Sequence, residues 1–350
     1  MRLCVWAPMI AVAALSAAPG TATLDAPRTF LADAFTLAPA DIARIDEGHA
    51  VTRTLEVTNS REVATLGIVR IKTSATTYVT RLSDIATFKK TDDVVQIGTF
   101  SNPSRPEDVA SLVVDDVDLK GLRECRVDDC DVRLSADGID RFRRDIDWRA
   151  ADARSKATRL MQQMLVDYVA RYRQGGPAAA MEYADRPRRL HVGREFASLI
   201  GGDATASRYA SPLYQHLLDY PASAVPRTTD FVYWSKERVR GRPVTSVTHV
   251  AIAAGAEDAP VAYAIGSKQI YAMHYYDASL GLTLLVPDRG APQPATYVVY
   301  LNRSRIDLFD GLFGGVARRI VAGKARSLVA EQLLRLQGSL GSAPPASGQH

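Results

Sequence analysis

The chain has 350 residues with 43 basic and 39 acidic side chains, so its formal net charge is only +4. Binding to nucleic acid requires a concentrated basic surface, and this nearly balanced composition gives no sign of one. We therefore predict no nucleic-acid partner. The length suits two domains or one large domain with an insertion.

Residues 1–22 have the three-part form of a secretory signal. Met1 and Arg2 supply a positive start, the uncharged run LCVWAPMIAVAALSAA follows, and small residues predict cleavage after Ala22. The run is short for a membrane span, and an uncleaved anchor is the alternative. The sequence thus predicts a periplasmic or secreted protein, with residues 23–40 as a flexible leader.

Strands and one helix are predicted next. HAVTRTLEV and EVATLGIVRI alternate as strands do, and SATTYVTRLSDIATF changes to the spacing of a helix. Residues 90–150 begin with the short strand DVVQIGTF and then mix acidic with apolar residues. We predict a satellite subdomain there.

Cys125 and Cys130 are the two cysteines that lie after the predicted cleavage site. In an oxidising compartment this closely spaced pair predicts a local disulfide. A redox-active pair or a metal site is less favoured, because the spacing is not C-x-x-C and no histidine is near.

The second half changes from helices to strands. Residues 151–229 carry a helical apolar stripe, and GG, then Pro177, separate it from two shorter helical stretches. After residue 230, short runs rich in Val, Ile, Tyr and Thr predict an antiparallel meander, followed by one long helix over residues 306–336. Residues 337–350 are predicted to be a disordered tail.

This order of elements resembles the START-like, polyketide-cyclase-type helix-grip superfamily. The matching stretches are GIVRIKTSATTYVTRLSDI, KQIYAMHYYDASLGLTLL, TYVVYLNRSRID and GLFGGVARRIVAGKARSLVAEQLLRL. The resemblance implies an α+β fold in which a curved antiparallel sheet wraps a long C-terminal helix, with an apolar tunnel between them. It implies a domain split between residues 41–89 and 230–336, with a helical insertion. Members bind lipids, sterols or polyketides, and some perform chemistry there.

The closing helix gives a separate reason to expect a cavity. Large residues, Phe309, Leu312, Phe313, Val316 and Ile320, share one predicted face, and small ones, Gly323 and Ser327, continue it. Because protein interiors are close-packed, small residues there indicate either a close backbone approach or an unfilled space.

We predict that the ligand is bound by residues of this helix and of the facing strands. They are Tyr233, Trp234, His249, Tyr271, Met273, His274, Tyr276, Phe313, Val316, Ile320, Gly323 and Ser327. A group of His249, His274 and Glu237 is an acid/base or metal alternative, and histidines hydrogen-bonded within the sheet are the other.

The predicted function is a non-catalytic carrier of a hydrophobic small molecule or lipid, with no cofactor. One alternative is an enzyme that acts on a hydrophobic substrate with His249, His274 or a tyrosine. Another is a protein-interaction module whose working surface is the insert, residues 150–221. The sequence contains no G-x-S-x-G, H-E-x-x-H or P-loop motif, so we name no catalytic residue.

Basic residues outnumber acidic ones seven to three on the closing segment, which predicts contact with an anionic membrane surface. The seven are Arg303, Arg305, Arg318, Arg319, Lys324, Arg326 and Arg335. A solvated basic helix is the alternative.

Overall fold

A computed structural model describes residues 25–202, 208–223, 225–307 and 314–341. Eight of its strands form one large sheet. They are β1 (Val51–Leu55), β2 (Glu62–Ile71), β3 (Val94–Phe100), β6 (Thr228–Val239), β7 (Arg242–Ala254), β8 (Tyr263–Ala272), β9 (Tyr276–Pro287) and β10 (Thr296–Ile306). Two further short strands, β4 (Glu182–Tyr183) and β5 (Leu190–His191), pair only with each other.

All neighbours in the large sheet are antiparallel, in the order β1-β2-β10-β9-β8-β7-β6-β3. The early strand β2 pairs directly with the late strand β10, so that Ile68 lies opposite Val299. Segments far apart in the sequence therefore share one sheet.

Helices cover both sides of this sheet. The side that we call the front face carries α3 (Ala75–Ser83), α4 (Ile85–Phe88) and α10 (Gly314–Gly341). The other side, the back face, is covered by α1 (Ala26–Phe35), α2 (Pro39–Asp46), α5 (Asp116–Glu124), α6 (Ala136–Asp145), α7 (Ala153–Gly175), α8 (Val192–Gly201) and α9 (Ser211–Asp219).

Strand alternation divides the apolar residues between the two faces. In β2, Val69 and Ile71 pack in the front core with α3 and α10, whereas Leu66 and Ile68 pack in the back core with α1, α2, α8 and α9. A third cluster joins α7 to the back of β6–β8, where Tyr168 donates a hydrogen bond to the Ile270 carbonyl at 2.6 Å.

The C-terminal helix lies close to the sheet at one glycine. A Cβ atom at Gly67 would come within 2.5 Å of Val329 Cγ1 and 2.7 Å of Leu333 Cδ1. Only glycine permits this approach. It places α10 chiefly over β1 and β2, at one side of the sheet.

The leader prediction is wrong from residue 25 onward. Asp25 caps α1 by accepting from Arg28 N at 3.3 Å, and Pro27 occupies its first turn. Leu31 and Phe35, one helical turn apart, are buried in the back core. The Ala-, Thr- and Pro-rich composition of residues 23–40 concealed this stripe.

The satellite prediction for residues 90–150 is also wrong. Strand β3 is the edge strand of the large sheet, paired with β6. The α5 and α6 residues Leu122 and Phe142 are buried in the same cluster as Trp234 of β6. This segment thus shares its core with the sheet.

Three predicted boundaries also change. KQIYAMHYYD is a hairpin that turns at residues 273–275, with Tyr275 at φ 67°, rather than one strand. The helix predicted over residues 306–336 begins at Gly314 and continues to Gly341, so the first residues of the predicted tail are helical. The predicted signal, residues 1–22, and residues 342–350 of the tail lie outside the described residues.

The protein is α+β, with a large antiparallel sheet and a long C-terminal helix. Among the described residues, no helix combines the length and the apolar character needed to cross a membrane.

Candidate ligand cavity

A cavity of about 220 Å³ lies on the front face, over β6 to β10. We call it the sheet cavity. It is larger than the roughly 150 Å³ cavity that holds a benzene molecule. Its lining consists of Lys89, Tyr233, Glu237, Val239, Val244, Ser246, Thr248, Ser267, Gln269, Tyr276, Ser279, Gly281, Tyr300, Asn302 and Ser304.

Strand register explains why these residues meet. Tyr233 lies opposite Thr248, and Gly281 lies opposite both Ser267 and Asn302, so the same face of successive strands is presented. Small residues leave the space open. A Cβ at Gly281 would lie 3.3 Å from the Tyr300 hydroxyl, tighter than an ordinary contact.

One ion pair borders the cavity. Lys89 Nζ lies 2.9 Å from Glu237 Oε1, and both side chains are partly exposed. Burial acts to raise the pKa of Glu237, but Lys89 and a hydrogen bond from Ser235 outweigh it and hold that pKa below its usual value. The pair therefore stays ionised at neutral pH and its charges cancel.

Two tyrosines supply neutral hydroxyl groups to the lining. Burial raises the pKa of Tyr276 to about 12 and also raises the pKa of Tyr300. Both phenols keep their protons at physiological pH. The Tyr300 hydroxyl accepts a hydrogen bond from Asn302 Nδ2 at 3.3 Å. Each phenol thus offers a donor and a flat apolar ring.

Serine and amide groups continue the polar lining. Ser304 Oγ donates to Asn302 Oδ1 at 3.0 Å and lies 2.8 Å from Ser279 Oγ. Gln269 differs from these residues, because its Oε1 is buried and has no hydrogen-bond partner in the described part of the chain. An unpaired buried amide oxygen is costly, so a donor at this point would be stabilised.

Of the twelve predicted ligand-binding residues, Tyr233 and Tyr276 line the sheet cavity. Trp234, Tyr271 and Met273 lie on the back face, buried in the cluster with α7. Trp234 Nε1 donates to the Asp108 carbonyl at 2.8 Å. The prediction assigned neighbours such as Tyr233 and Trp234 to one cavity, although adjacent strand residues point to opposite faces.

The cavity has a polar lining because the large apolar residues of these strands point to the opposite face. The large apolar residues expected in the tunnel, Trp234 and Met273, belong to the back core. The front face instead presents hydroxyl, amide and charged groups. The cavity therefore differs from the apolar tunnel that we predicted.

The predicted histidine group is divided among three places. His249 Nε2 lies 2.7 Å from Asp230 on the back face, His274 Nε2 lies 3.0 Å from Asp118, and Glu237 borders the sheet cavity. Burial lowers the pKa of His249, although Asp230 opposes this shift. The predicted group does not exist as a unit.

The predicted cavity face of α10 points elsewhere. Ile320 is 57% exposed, Ser327 is exposed, and a Cβ at Gly323 would meet no atom within 4 Å. The buried stripe contains Val329, Leu333 and Leu340. The prediction took its helical phase in part from Phe309, Leu312 and Phe313, which lie outside the described residues. Phe313 lies outside the described residues, as does the side chain of Val316.

The predicted disulfide is confirmed, since Cys125 and Cys130 are bonded across a tight loop with a Cα–Cα distance of 4.4 Å.

Two of the seven basic residues assigned to the closing segment are not available to a membrane. Arg303 and Arg305 lie in β10 and are buried, where they pair with Glu62 and Glu195. Arg319, Lys324, Arg326 and Arg335 of α10 are exposed, and Arg318 is half-buried.

Sequence reasoning missed most of the cavity lining. The sequence does contain a partial signal, because Ser246 and Thr248 occupy alternate positions of β7, and Ser267 and Gln269 occupy alternate positions of β8. Polar residues at every second position mark one face of a strand. No spacing pattern links Lys89 to Glu237, since the fold alone brings them together.

Comparison with protein-family models gives no match, and comparison with curated proteins gives none. Among solved structures, the chain is similar to the di-domain ARO/CYC BexL from the BE-7585A biosynthetic pathway. The sequence identity is 12%, the TM-score is 0.24, and the match covers 84% of this chain and 80% of that chain. The fold described above rests on the sheet and its helices, independently of this likeness.

Proposed function

We propose that this protein is an exported, non-catalytic carrier of the helix-grip type, with its ligand in the sheet cavity. The observation that carries the proposal is a ligand-sized space bordered by tyrosine rings and by hydroxyl and amide side chains, Gln269 among them. Concave sites with a few convergent polar groups are the usual form of small-molecule sites.

The lining indicates the class of ligand. A volume of about 220 Å³ suits a molecule of one or two rings better than a whole long-chain lipid. The rings of Tyr233, Tyr276 and Tyr300 offer flat apolar contact, and the hydroxyl and amide groups offer hydrogen bonds. We therefore propose a hydrophobic ring compound that bears hydroxyl or carbonyl groups.

The ligand is also proposed to be uncharged. Lys89 and Glu237 neutralise each other, so neither offers a free charge to an ionised ligand. Hydrogen-bonding groups on the ligand would pair with the hydroxyl and amide groups of the lining.

Export is proposed from the N-terminal sequence, with its positive start and uncharged run. Contact with an anionic membrane is a proposal supported by the exposed cations of α10, Arg319, Lys324, Arg326 and Arg335. Such contact would suit a carrier that collects or delivers its ligand at a membrane.

Neither alternative function has a comparable observation in its favour. The enzyme hypothesis named His249, His274 or a tyrosine. Neither histidine lines the sheet cavity, and burial raises the pKa of the lining residues Tyr276 and Tyr300, which disfavours their ionisation to a base. The interaction-module hypothesis requires an apolar surface on residues 150–221. Within residues 150–202 and 208–221, the large hydrophobic side chains are buried or half-buried.

The experiment uses the natively purified protein and one defined probe. Organic extracts of the protein are examined by mass spectrometry for a co-purifying ring compound. Binding of 2-naphthol, a bicyclic phenol, is measured by saturation-transfer NMR. We expect Ser246→Phe, which fills the cavity, to abolish the transfer signal, and Gln269→Leu to weaken it.

Gln163→Leu is the matched control, because Gln163 is exposed on α7, far in sequence from the lining. It is expected to leave 2-naphthol binding unchanged. Equal binding by wild type and Ser246→Phe, with no compound in the extracts, would end the carrier proposal.

A further inference from the structure

A cluster of two histidines and one aspartate lies on the back face, opposite the sheet cavity. His216 of α9, Asp230 of β6 and His249 of β7 place their ligand-type atoms within 4.8 Å of one another. His249 Nε2 lies 2.7 Å from Asp230 Oδ1, and His216 Nε2 lies 2.9 and 3.0 Å from the two carboxylate oxygens. Both imidazoles thus direct the same nitrogen at one carboxylate.

The surroundings of His216 constrain its protons. Its Nδ1 lies 3.1 Å from the Ser223 carbonyl oxygen, which can only accept a hydrogen bond. This contact places a proton on Nδ1 and leaves the lone pair of a neutral ring on Nε2. That lone pair faces the two Asp230 oxygens, which are also acceptors.

A lone pair on Nε2 and the carboxylate oxygens repel each other unless a proton or a metal ion lies between them. A second proton on His216 would serve, and so would a metal ion bound to Nε2. The metal-bound arrangement matches a common pattern, in which a ligating histidine donates its other N–H to a backbone carbonyl. The Ser223 hydroxyl, at 3.3 Å from Nδ1, offers a third arrangement, in which Nε2–H donates to Asp230.

His249 is oriented in a similar way. Its Nδ1 lies 2.9 Å from the Tyr172 hydroxyl, which can accept from Nδ1–H and leave Nε2 free for a metal. The Tyr220 ring lies 4.5 Å from His249, centroid to centroid, and forms an apolar wall. Both imidazoles are buried, whereas the Asp230 side chain is 24% exposed. Solvent therefore reaches the cluster at the carboxylate.

We propose that His216, Asp230 and His249 bind a divalent transition-metal ion of the zinc class, through both Nε2 atoms and the carboxylate. Two imidazoles and one carboxylate are a known zinc ligand set, with water in the fourth position. Ligand atoms about 2.1 Å from zinc in a tetrahedron are roughly 3.4 Å apart. The histidine–carboxylate distances of 2.7 and 2.9 Å would therefore have to open by about 0.5 to 0.7 Å to admit the ion.

Lys268 is a buried cation that lies opposite His249 in the β7–β8 pairing. Its Nζ donates to the Leu217 carbonyl at 2.9 Å and lies 4.4 Å from the centre of the Phe196 ring. Its hydrogen bond is made outside the cluster. The metal site does not depend on the sheet cavity, so either proposal can fail without the other.

The test uses metal-free full-length protein without a histidine tag. Zn²⁺ is titrated by calorimetry, and Co²⁺ by its visible ligand-field bands. We expect one ion per chain and the intense Co²⁺ bands of a tetrahedral site. His216→Ala and His249→Ala should each weaken Zn²⁺ binding on the order of 100-fold, and Tyr172→Phe about 10-fold.

His274→Ala is the matched control, because His274 also contacts an aspartate, Asp118, at 3.0 Å but has no second imidazole there. It should bind Zn²⁺ as the wild type does. Circular dichroism checks that each variant folds. Equal Zn²⁺ affinity in wild type and both cluster variants overturns the proposal, as does the absence of binding by wild type.

Imidazole ¹⁵N NMR of the wild type tests the metal site without depending on whether a variant folds. Zn²⁺ should shift the Nε2 resonances of His216 and His249 and leave those of His274 unchanged. If the Nε2 chemical shift of His216 still indicates a protonated nitrogen in excess Zn²⁺, the cluster is an imidazolium–carboxylate pair. That result would contradict the metal site.

Discussion

The two faces of the sheet use the same strands in opposite ways. β7 presents Ser246 and Thr248 to the open sheet cavity, and Val247 and His249 to the closed back core. The front face is open over β6–β10 because α10 lies chiefly over β1 and β2. Helix position thus decides which polar side chains remain available and which are enclosed with fixed partners.

The largest expected contrast is between the neighbours Trp234 and Tyr233. Trp234→Ala should lower the free energy of unfolding by about 3–5 kcal/mol, because a fully buried ring is lost from the back core. Tyr233→Ala should cost about 1–2 kcal/mol, because its ring already borders a cavity. Urea unfolding of both variants measures the difference. Equal losses would contradict the contrast between the faces.

Lys268→Met tests the enclosure of the back face through pH. Burial lowers the pKa of Lys268 from 10.5 to about 7, so between these values the unfolded chain binds more protons than the folded one. Wild-type stability should therefore rise with pH across this window, by about 1.4 kcal/mol per pH unit from this group. Metal-free wild type and variant are compared by urea unfolding from pH 6.5 to 10.

At pH 8 the variant should be more stable by about 2 kcal/mol, after the lost hydrogen bond to Leu217 is counted. The gain should disappear near pH 10.5. Lys120→Met, at an exposed position, is the control and should show no such window. If the stability difference between wild type and Lys268→Met did not change with pH, burial would not lower the pKa of Lys268, and the prediction would be wrong.

The third prediction concerns the orientation of α10, which leaves the front face open. Val329→Ala removes two buried methyl-sized groups beside Gly67 and should cost about 1.5 kcal/mol. Ile320→Ala, on the exposed side, should change stability by less than about 0.5 kcal/mol. Thermal unfolding of the two variants shows which side of α10 faces the sheet. A larger loss of stability in Ile320→Ala would favour the orientation predicted from the sequence.

The smallest effect is expected at the border of the sheet cavity. Glu237→Gln should cost less than about 1 kcal/mol at pH 7, because its pair with Lys89 is partly exposed. The fold lowers the pKa of Glu237 below its ordinary value of 4.5, so the pair's contribution is complete above that pH and declines in acid.

Wild type and Glu237→Gln should therefore converge in stability as the pH falls through the lowered pKa of Glu237. Binding of 2-naphthol should be unaffected at pH 7, because the proposed ligand is uncharged. Loss of binding in Glu237→Gln, with stability unchanged, would show that the front face recognises charge.

Local patterns predicted local structure well. The alternation of EVATLGIVRI predicted β2 with its observed bounds, Glu62–Ile71, and the spacing of Cys125 and Cys130 predicted their disulfide. These features depend on a few neighbouring residues. The α+β class followed from the order of such segments.

Features that depend on distant residues were not predicted. The turn at Tyr275 contains no glycine or proline, so nothing local separated β8 from β9. The cluster of His216, Asp230 and His249 comes from one helix and two strands, with no motif spacing. The phase of α10 is fixed by its contact with Gly67, more than two hundred positions earlier.

Strand β2 cannot complete its pairing until the chain has reached β10, because Ile71 lies opposite Thr296. Until then one edge of β2 lacks its partner strand. Because so long a loop must close before the two strands can pair, assembly of the sheet is slow. During synthesis the sheet therefore stays incomplete until β10 has left the ribosome. An unpaired strand edge of this kind is a surface on which nascent chains aggregate or bind chaperones.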